Sequence, residues 1–242
     1  MFEYFLSDYI SIHNFMIVVG FIAMCIINAF RAHSYDLKWW HGIIISIVVN
    51  IYAIFGARTL YIIENLSYVI TNGLTIWGGV SFFGVVMFLP ILTIATCKIF
   101  KLDTKKILDF ITPTVAVELA CIRIGCFLGG CCYGRAFDFG IAMPSDPEVR
   151  RIPTQLIECA LDLGIFAYLL IYEKKCGIKN GLLYPLFLIC YGSIRFVIEF
   201  MRENRTLFTY AHLFAMLSVI TGVYFLLQLK KGLNSQQKPK DS

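Results

Sequence analysis

Long apolar runs separated by short polar segments dominate the chain. A helix needs about 20 apolar residues to cross the roughly 30 Å hydrocarbon core of a bilayer. Seven runs reach that length: 12–31, 41–63, 79–97, 107–129, 155–172, 181–201 and 210–229. None has the period-two alternation of an outer-membrane barrel strand. The pattern predicts an all-α, polytopic membrane protein with about seven transmembrane helices in a single domain over residues 1–229, followed by a tail at 230–242.

Composition supports this fold class. Hydrophobic residues make up 58% of the 242 positions and charged residues only 15%, against about 25% charged in soluble domains. A soluble fold of this size has too little polar surface for such a chain, and a disordered chain or a disulfide scaffold is excluded as well. The net charge of +5 therefore indicates basic loops beside a membrane rather than a nucleic-acid partner.

The lysines predict the orientation of the helices. All twelve follow the first, third, fifth or seventh span, at position 38 and within 98–106, 174–179 and 230–240. Cytoplasmic loops are rich in Lys and Arg. We therefore expect the N-terminus outside, the tail in the cytoplasm, and residues 135–154 in an external loop.

Arginine is distributed differently. Arg58, Arg123 and Arg195 fall inside spans two, four and six or at their outer ends, where a charge near the bilayer centre costs about 2.5–3.5 kcal/mol. Arg135 and Arg202 lie in the expected external half. Because guanidinium groups bind phosphate in a planar fork, we expect a polar cavity that takes a phosphate-bearing ligand from the outer leaflet.

Two spans carry polar residues at a spacing that places them on one helix face. These are Tyr191, Arg195, Glu199 and Arg202 on the sixth span, and Gln155, Glu158 and Asp162 on the fifth. Two interpretations are open: the residues line a ligand site, or Arg195 and Glu199 form an ion pair that locks two helices together. The number of arginines favours the ligand site.

The fourth span ends in RIGCFLGGCCYGR, which runs from Arg123 to Arg135. Its glycines allow close backbone approach and are expected to break the helix. Irregular backbone at membrane depth is tolerated where it is buried or lines a wet cavity. We therefore expect exposed amides in this segment to assist Arg123 in binding an oxyanion.

Three of the nine cysteines, Cys126, Cys131 and Cys132, lie in the same segment. Packing, a nucleophilic or redox thiol, and a metal site are all open interpretations. The metal site is the least favoured, because adjacent cysteines lack Cys-x-x-Cys spacing and no histidine is close in sequence. No metal or cofactor is predicted, and His13 is expected at the membrane interface.

The segment resembles the signature of the bacterial prolipoprotein diacylglyceryl transferase family, Arg-x-Gly-Asn-Phe-x-Asn-Gly-Glu-x-x-Gly-Arg. The matching residues are Arg123, Gly125, Phe127, Gly130, Gly134 and Arg135. Three further stretches resemble family motifs in the same order: Gly56 to Arg58, Pro153 to Glu158, and Tyr191 to Arg202.

The resemblance implies a transferase of the bacterial cytoplasmic (inner) membrane. Family members move the diacylglyceryl group of phosphatidylglycerol to the cysteine thiol of a secreted lipobox-bearing prolipoprotein and release glycerol phosphate. Bilayer lipid and this precursor are the expected partners. The expected catalytic residues are Arg123 and Arg195 for the phosphate, with Glu199, Cys126 and Cys131. The expected substrate-binding residues are Arg58, Gly125, Gly134, Arg135, Gln155, Glu158, Tyr191 and Arg202.

The chain departs from the family at the expected base. Phe83 stands where the family's Ser-Phe-His-Gly-Gly motif has the histidine that helps to deprotonate the thiol, and a phenyl ring accepts no proton. Glu118, Glu158 and His212 are candidate substitutes. The departure leaves two alternatives: a family enzyme acting on another lipid or acceptor, and a non-enzymatic lipid-binding or transport protein on the same scaffold.

Overall fold

Eight α-helices and one β-hairpin make up the part of the chain that the computed structural model describes, which is residues 2–72, 82–143, 146–177, 181–203 and 208–237. The helices are α1 (Phe2–Arg31), α2 (Trp39–Glu64), α3 (Leu66–Asn72), α4 (Phe82–Ile99), α5 (Thr104–Leu128), α6 (Thr154–Cys176), α7 (Leu183–Met201) and α8 (Tyr210–Gln237). A 3₁₀ turn, Ala32–Tyr35, follows α1, and the strands β1 (Ala136–Met143) and β2 (Asp146–Arg151) pair antiparallel.

The apolar runs of the sequence correspond to these helices. Six helices, all of the long ones except α4, are long and apolar enough to cross a membrane, and α4 contains a shorter apolar helix over Phe88–Ile99. The prediction of an all-α polytopic membrane protein is therefore confirmed. The predicted start of the third span at 79–81 lies outside the described residues.

Three elements were not predicted. The strands Ala136–Met143 and Asp146–Arg151 form the hairpin in the segment expected as a loop, and the short helix α3 follows α2. Helix α8 continues to Gln237, into the segment expected as a tail.

Helix α5 lies at the centre of the bundle. It packs on α1 and α6, and also on α7 and α4. In its membrane-length window 61% of the residues are buried, against 22% for α1 and for α2. Any polar side chain on the inner faces of α5 therefore needs a partner within the protein.

Small residues allow α2 to approach its neighbours closely. A Cβ atom on Gly56 would lie 2.6 Å from the carbonyl oxygen of Gly84, so α2 and α4 cross backbone to backbone. A buried side-chain amide links α2 to α1 and α5. Asn28 on α1 donates to Ser46 Oγ on α2 at 2.9 Å and accepts from Thr114 on α5 at 3.1 Å.

One end of the bundle is held by a second set of polar contacts. Arg31 pairs with Glu173 at the end of α6 at 2.8 Å. On α5, Asp109 accepts hydrogen bonds from the backbone amides of Gly181 and Leu183 at 2.7 and 3.0 Å. These contacts fix one end of each of the helices α1, α5 and α6. This end of the bundle is opposite the hairpin, because α6 begins directly after β2 and Glu173 lies near its other end.

Candidate active site

Two arginines from different helices contact one glutamate on a third. Arg195 on α7 donates from Nη1 to Glu158 Oε1 at 2.7 Å, and Arg123 on α5 contacts Glu158 Oε2 through Nε. All three residues are no more than 7% exposed. Each carboxylate oxygen of Glu158 therefore serves a different guanidinium, at the junction of α5, α6 and α7.

The polar face of α7 extends this cluster. Arg195 Nη2 donates to Glu199 Oε2 at 2.7 Å, and Arg202 Nη1 lies 3.6 Å from the same oxygen. Thr209, before α8, donates to the other Glu199 oxygen at 3.1 Å. The ion pair considered as a helix lock is present, but it belongs to a larger network of three arginines and two glutamates.

The polar face predicted on α6 is confirmed as buried. Gln155, Glu158 and Asp162 are each at most 3% exposed. Both carboxyl oxygens of Asp162 lack a hydrogen-bond partner among the described residues, although Arg123 and Arg195 are close enough to interact with them electrostatically. Tyr191 is buried one turn from Arg195 and stacks on Phe187 with ring centroids 5.4 Å apart.

Helix α5 ends in a Schellman turn, in which Gly130 adopts the left-handed conformation with φ of +65°. The Gly130 amide donates to the Phe127 carbonyl and the Cys131 amide to the Cys126 carbonyl, both at 3.0 Å. This turn places the side chains of Cys126 and Cys131 side by side. The predicted helix break is therefore present, with Gly125 still inside the helix.

Five of the amides in this segment are not available for the expected oxyanion site. The amides of Gly129, Gly130 and Cys131 donate to carbonyls of their own helix. The amides of Gly134 and Arg135 donate to the carbonyls of Ile152 and Met201, each at 2.9 Å. These five donors close the turn and fasten the loop, so the guanidinium groups are the better-supported anion-binding groups of the site.

Cys132 turns its thiol back toward the other two cysteines. It has φ of +61°, which is uncommon for a residue other than glycine. Thr154 donates to its carbonyl oxygen at 2.8 Å and Arg202 at 3.4 Å, while Gln155 donates to the carbonyl of Cys131. As a result the three sulfur atoms lie within 4.8 Å of one another, with Cys126 buried and Cys132 exposed.

His13 joins the thiols, which the sequence did not predict. Its Nε2 lies 3.7 Å from Cys126 Sγ, although the two residues are 113 positions apart. Gly125 makes the approach possible, because a Cβ there would already lie 3.0 Å from Met16 Cβ and 3.5 Å from His13 Cα. A lone histidine in an apolar run carries no local signal of such a contact.

None of the candidate bases is placed to act as one. Both carboxylate oxygens of Glu158 are already engaged by arginines. His212 accepts the Thr209 amide at Nδ1 at 3.1 Å, so a neutral ring carries its proton on Nε2, which has no hydrogen-bond partner among the described residues and cannot accept a further proton. Glu118 contacts α1 at Gly20, on the side of α5 away from α6. Phe83 lies at the start of α4.

The remaining predicted residues have other positions. Arg58 is half-buried on α2, a helix that packs mainly on α1 and α4 rather than on α5, α6 or α7. Gly134 pairs with Arg202 in an isolated β-bridge, and the exposed Arg135 donates to the Phe200 carbonyl. Both residues fasten the hairpin to the end of α7.

Comparisons with known proteins point to one family. A family model described as prolipoprotein diacylglyceryl transferase matches residues 4–228. Curated proteins named phosphatidylglycerol-prolipoprotein diacylglyceryl transferase are similar to the chain. The one from Clostridium tetani is 29% identical over 222 residues, covering 86% of this chain and 89% of the relative. The one from Geobacter sulfurreducens is 30% identical over 227 residues, covering 90% and 87%.

Proposed function

Since the chain belongs to the prolipoprotein diacylglyceryl transferase family, we propose that it transfers the diacylglyceryl group of phosphatidylglycerol to a cysteine thiol of a prolipoprotein and releases glycerol phosphate. The observation that carries the proposal is the buried contact of Arg123 and Arg195 with the single carboxylate of Glu158. Burying an arginine in a membrane-spanning helix costs free energy, so two buried arginines at one point indicate a functional site.

The guanidinium groups meet the charge that develops in the reaction. As the bond between the glyceryl carbon and the phosphate oxygen breaks, negative charge grows on the phosphate that leaves. Donors fixed in a dry site stabilise such charge without reorganising. In this proposal Arg123 and Arg195 bind the phosphate, and Glu158 is a positioning residue that holds the two guanidiniums side by side.

The acceptor sulfur supplies the new bond. A thiolate attacks the glyceryl carbon, a carbon–sulfur bond forms, and the electron pair of the breaking carbon–oxygen bond stays on the phosphate oxygen. The thiol proton passes to solvent, because Phe83 offers no base. The positive charges of Arg123, Arg195 and Arg202 favour the thiolate.

We place this centre in the outer half of the cytoplasmic (inner) membrane of a bacterium, with the N-terminus outside. Two observations support the orientation. First, the lysines follow alternate spans. Second, the two ends of α6 differ: its last turn carries Lys174 and Lys175, whereas its first residue, Thr154, contacts Cys132 near the arginines. The hairpin then faces the side from which a secreted precursor arrives.

Mass spectrometry of products tests the proposal. Purified protein is incubated with phosphatidylglycerol and a lipobox peptide. We expect the peptide to gain a diacylglyceryl thioether while glycerol phosphate accumulates. A peptide with serine in place of the cysteine is the control. Lipidation of the peptide by another lipid but not by phosphatidylglycerol would contradict the proposal. Absence of product with every acceptor and at every pH would also contradict it, and would favour lipid binding or transport.

A further inference from the structure

We propose that Cys126, Cys131, Cys132 and His13 bind one zinc ion. The three sulfur atoms lie within 4.8 Å of one another, and His13 Nε2 lies 3.7 Å from Cys126 Sγ. Thiolate sulfur and imidazole nitrogen are the donors that zinc prefers, and a Cys₃His set is one of its structural sites. This site is separate from the proposed phosphate chemistry of Arg123 and Arg195.

The distances suit a tetrahedral ion. Zinc–sulfur bonds of about 2.3 Å and zinc–nitrogen bonds of about 2.0 Å place ligand sulfurs about 3.8 Å apart and sulfur and nitrogen about 3.5 Å apart. The contact between Cys126 and His13, at 3.7 Å, is already close to that value. The sulfur separations, at most 4.8 Å, are up to about 1 Å longer than in such a site, and in this proposal the side chains close around the ion when it binds.

The backbone is arranged to bring these donors together. The Schellman turn at Gly130 pairs Cys126 with Cys131. Cys132 then adopts a left-handed conformation that is uncommon outside glycine, and Thr154 fixes it by a hydrogen bond to its carbonyl. The turn and this residue together bring the three sulfur atoms to one point.

Charge and access also suit a metal. Three thiolates around a zinc ion leave one net negative charge, and Cys132 lies within electrostatic range of Arg202 and Arg123. Cys132 is exposed and gives the ion a path of entry, whereas Cys126 is buried. With four protein ligands the site is closed, so the ion would tie α1 to the end of α5 and to the loop before β1.

Metal analysis of the whole purified protein tests the site. Protein prepared without chelators should contain about one zinc ion per chain. We expect Cys131→Ser, Cys132→Ser and His13→Ala each to lose most of it. Cys121→Ser, one turn and a half earlier on the same helix, should retain it. Zinc that is absent from the wild type, replaced by another metal, or equal in all four variants overturns the proposal.

A second measurement does not depend on how well the variants fold. Wild-type protein is stripped of metal under reducing conditions and titrated with Co²⁺, whose thiolate charge-transfer absorption reports sulfur ligation. We expect a tetrahedral thiolate spectrum that added Zn²⁺ abolishes, and three fewer thiols reactive to an alkylating reagent when zinc is bound. Absence of both signals contradicts the site. Neither measurement uses turnover, so its failure leaves the proposed transferase activity untouched.

Discussion

Glu158 on α6 and Arg195 on α7 face each other with 2.7 Å between Oε1 and Nη1. Both side chains are buried, so neither charge has water to replace its partner. Removing one residue therefore leaves the other buried with less charge compensation, because Glu158 would keep only Arg123 and Arg195 only Glu199.

Glu158→Gln should destabilise the protein strongly. Loss of one partner from a buried pair costs about 3–5 kcal/mol, and here two arginines lose a partner at once, although Arg195 keeps its contact with Glu199. Thermal unfolding in detergent measures the effect. The matched control is Glu203→Gln, which disrupts the pair with Arg151 at a glutamate side chain that is 53% exposed and should cost no more than about 1 kcal/mol. Equal effects in the two variants would show that the Glu158 pairs are not desolvated.

Arg123→Lys and Arg195→Lys should each lower turnover by about 100-fold, the effect of removing one oriented donor from a developing anion. A lysine keeps the charge but not the planar fork, so membrane insertion should be unchanged. Product formation from phosphatidylglycerol gives the readout, and the exposed Arg150→Lys on β2 is the control. Near-normal turnover in both variants would remove these arginines from the phosphate site.

Gly134→Ala should loosen the hairpin at its base. The added Cβ would lie 2.7 Å from the Met201 carbonyl oxygen and 2.8 Å from Ile152 Cβ, and overpacking of this kind costs about 1–3 kcal/mol. Gly164→Ala on α6 is the matched control, since nothing lies within 4 Å of its Cβ position and alanine favours a helix. We expect a lower unfolding temperature only for Gly134→Ala; the reverse order would contradict the described contact.

The pH dependence of turnover tests how the acceptor thiol ionises. Without a dedicated base, the rate should rise with pH toward the ordinary thiol pKa of about 8.5, because the thiolate fraction grows there. Phe83→His restores an acceptor at the family's position and should raise the rate near neutral pH. A wild-type rate that is flat from pH 6 to 8.5, roughly the range in which a free thiol begins to ionise, would mean that another group takes the proton.

Orientation is checked by labelling introduced cysteines with a reagent that does not cross membranes. Glu148→Cys, exposed on β2, should react in intact cells. Lys175→Cys, exposed near the end of α6, should react only after permeabilisation. The wild-type chain gives the background from its own thiols. The opposite pattern would place the arginine network in the inner leaflet.

Hydropathy and helical spacing predicted much of this molecule. The buried faces of α6 and α7 follow from three- and four-residue spacing, because a helix repeats every 3.6 residues. The Cys126–Cys131 contact also has a local cause, since the Gly-Gly pair between them favours a Schellman turn. The glycine pair therefore predicts the contact between the two cysteines as well as the end of the helix.

Contacts between distant segments were not predictable in this way. The position of His13 beside Cys126 depends on the crossing of α1 and α5 at Gly125, which no local pattern encodes. The hairpin was missed for a different reason. Its strands are short and mostly exposed, so they lack the apolar alternation that marks a half-buried strand.

The carboxylate of Glu158, whose two oxygens contact different arginines, limits which substitutions this sequence can tolerate. A single substitution there removes a buried counter-charge from two helices at once, and a substitution at either arginine leaves one carboxylate oxygen without its guanidinium. Each one-step intermediate therefore holds a buried charge that is less well compensated, whereas volume-conserving swaps among the surrounding apolar residues cost little. We therefore expect the three polar positions to tolerate single substitutions far less well than the apolar residues around them.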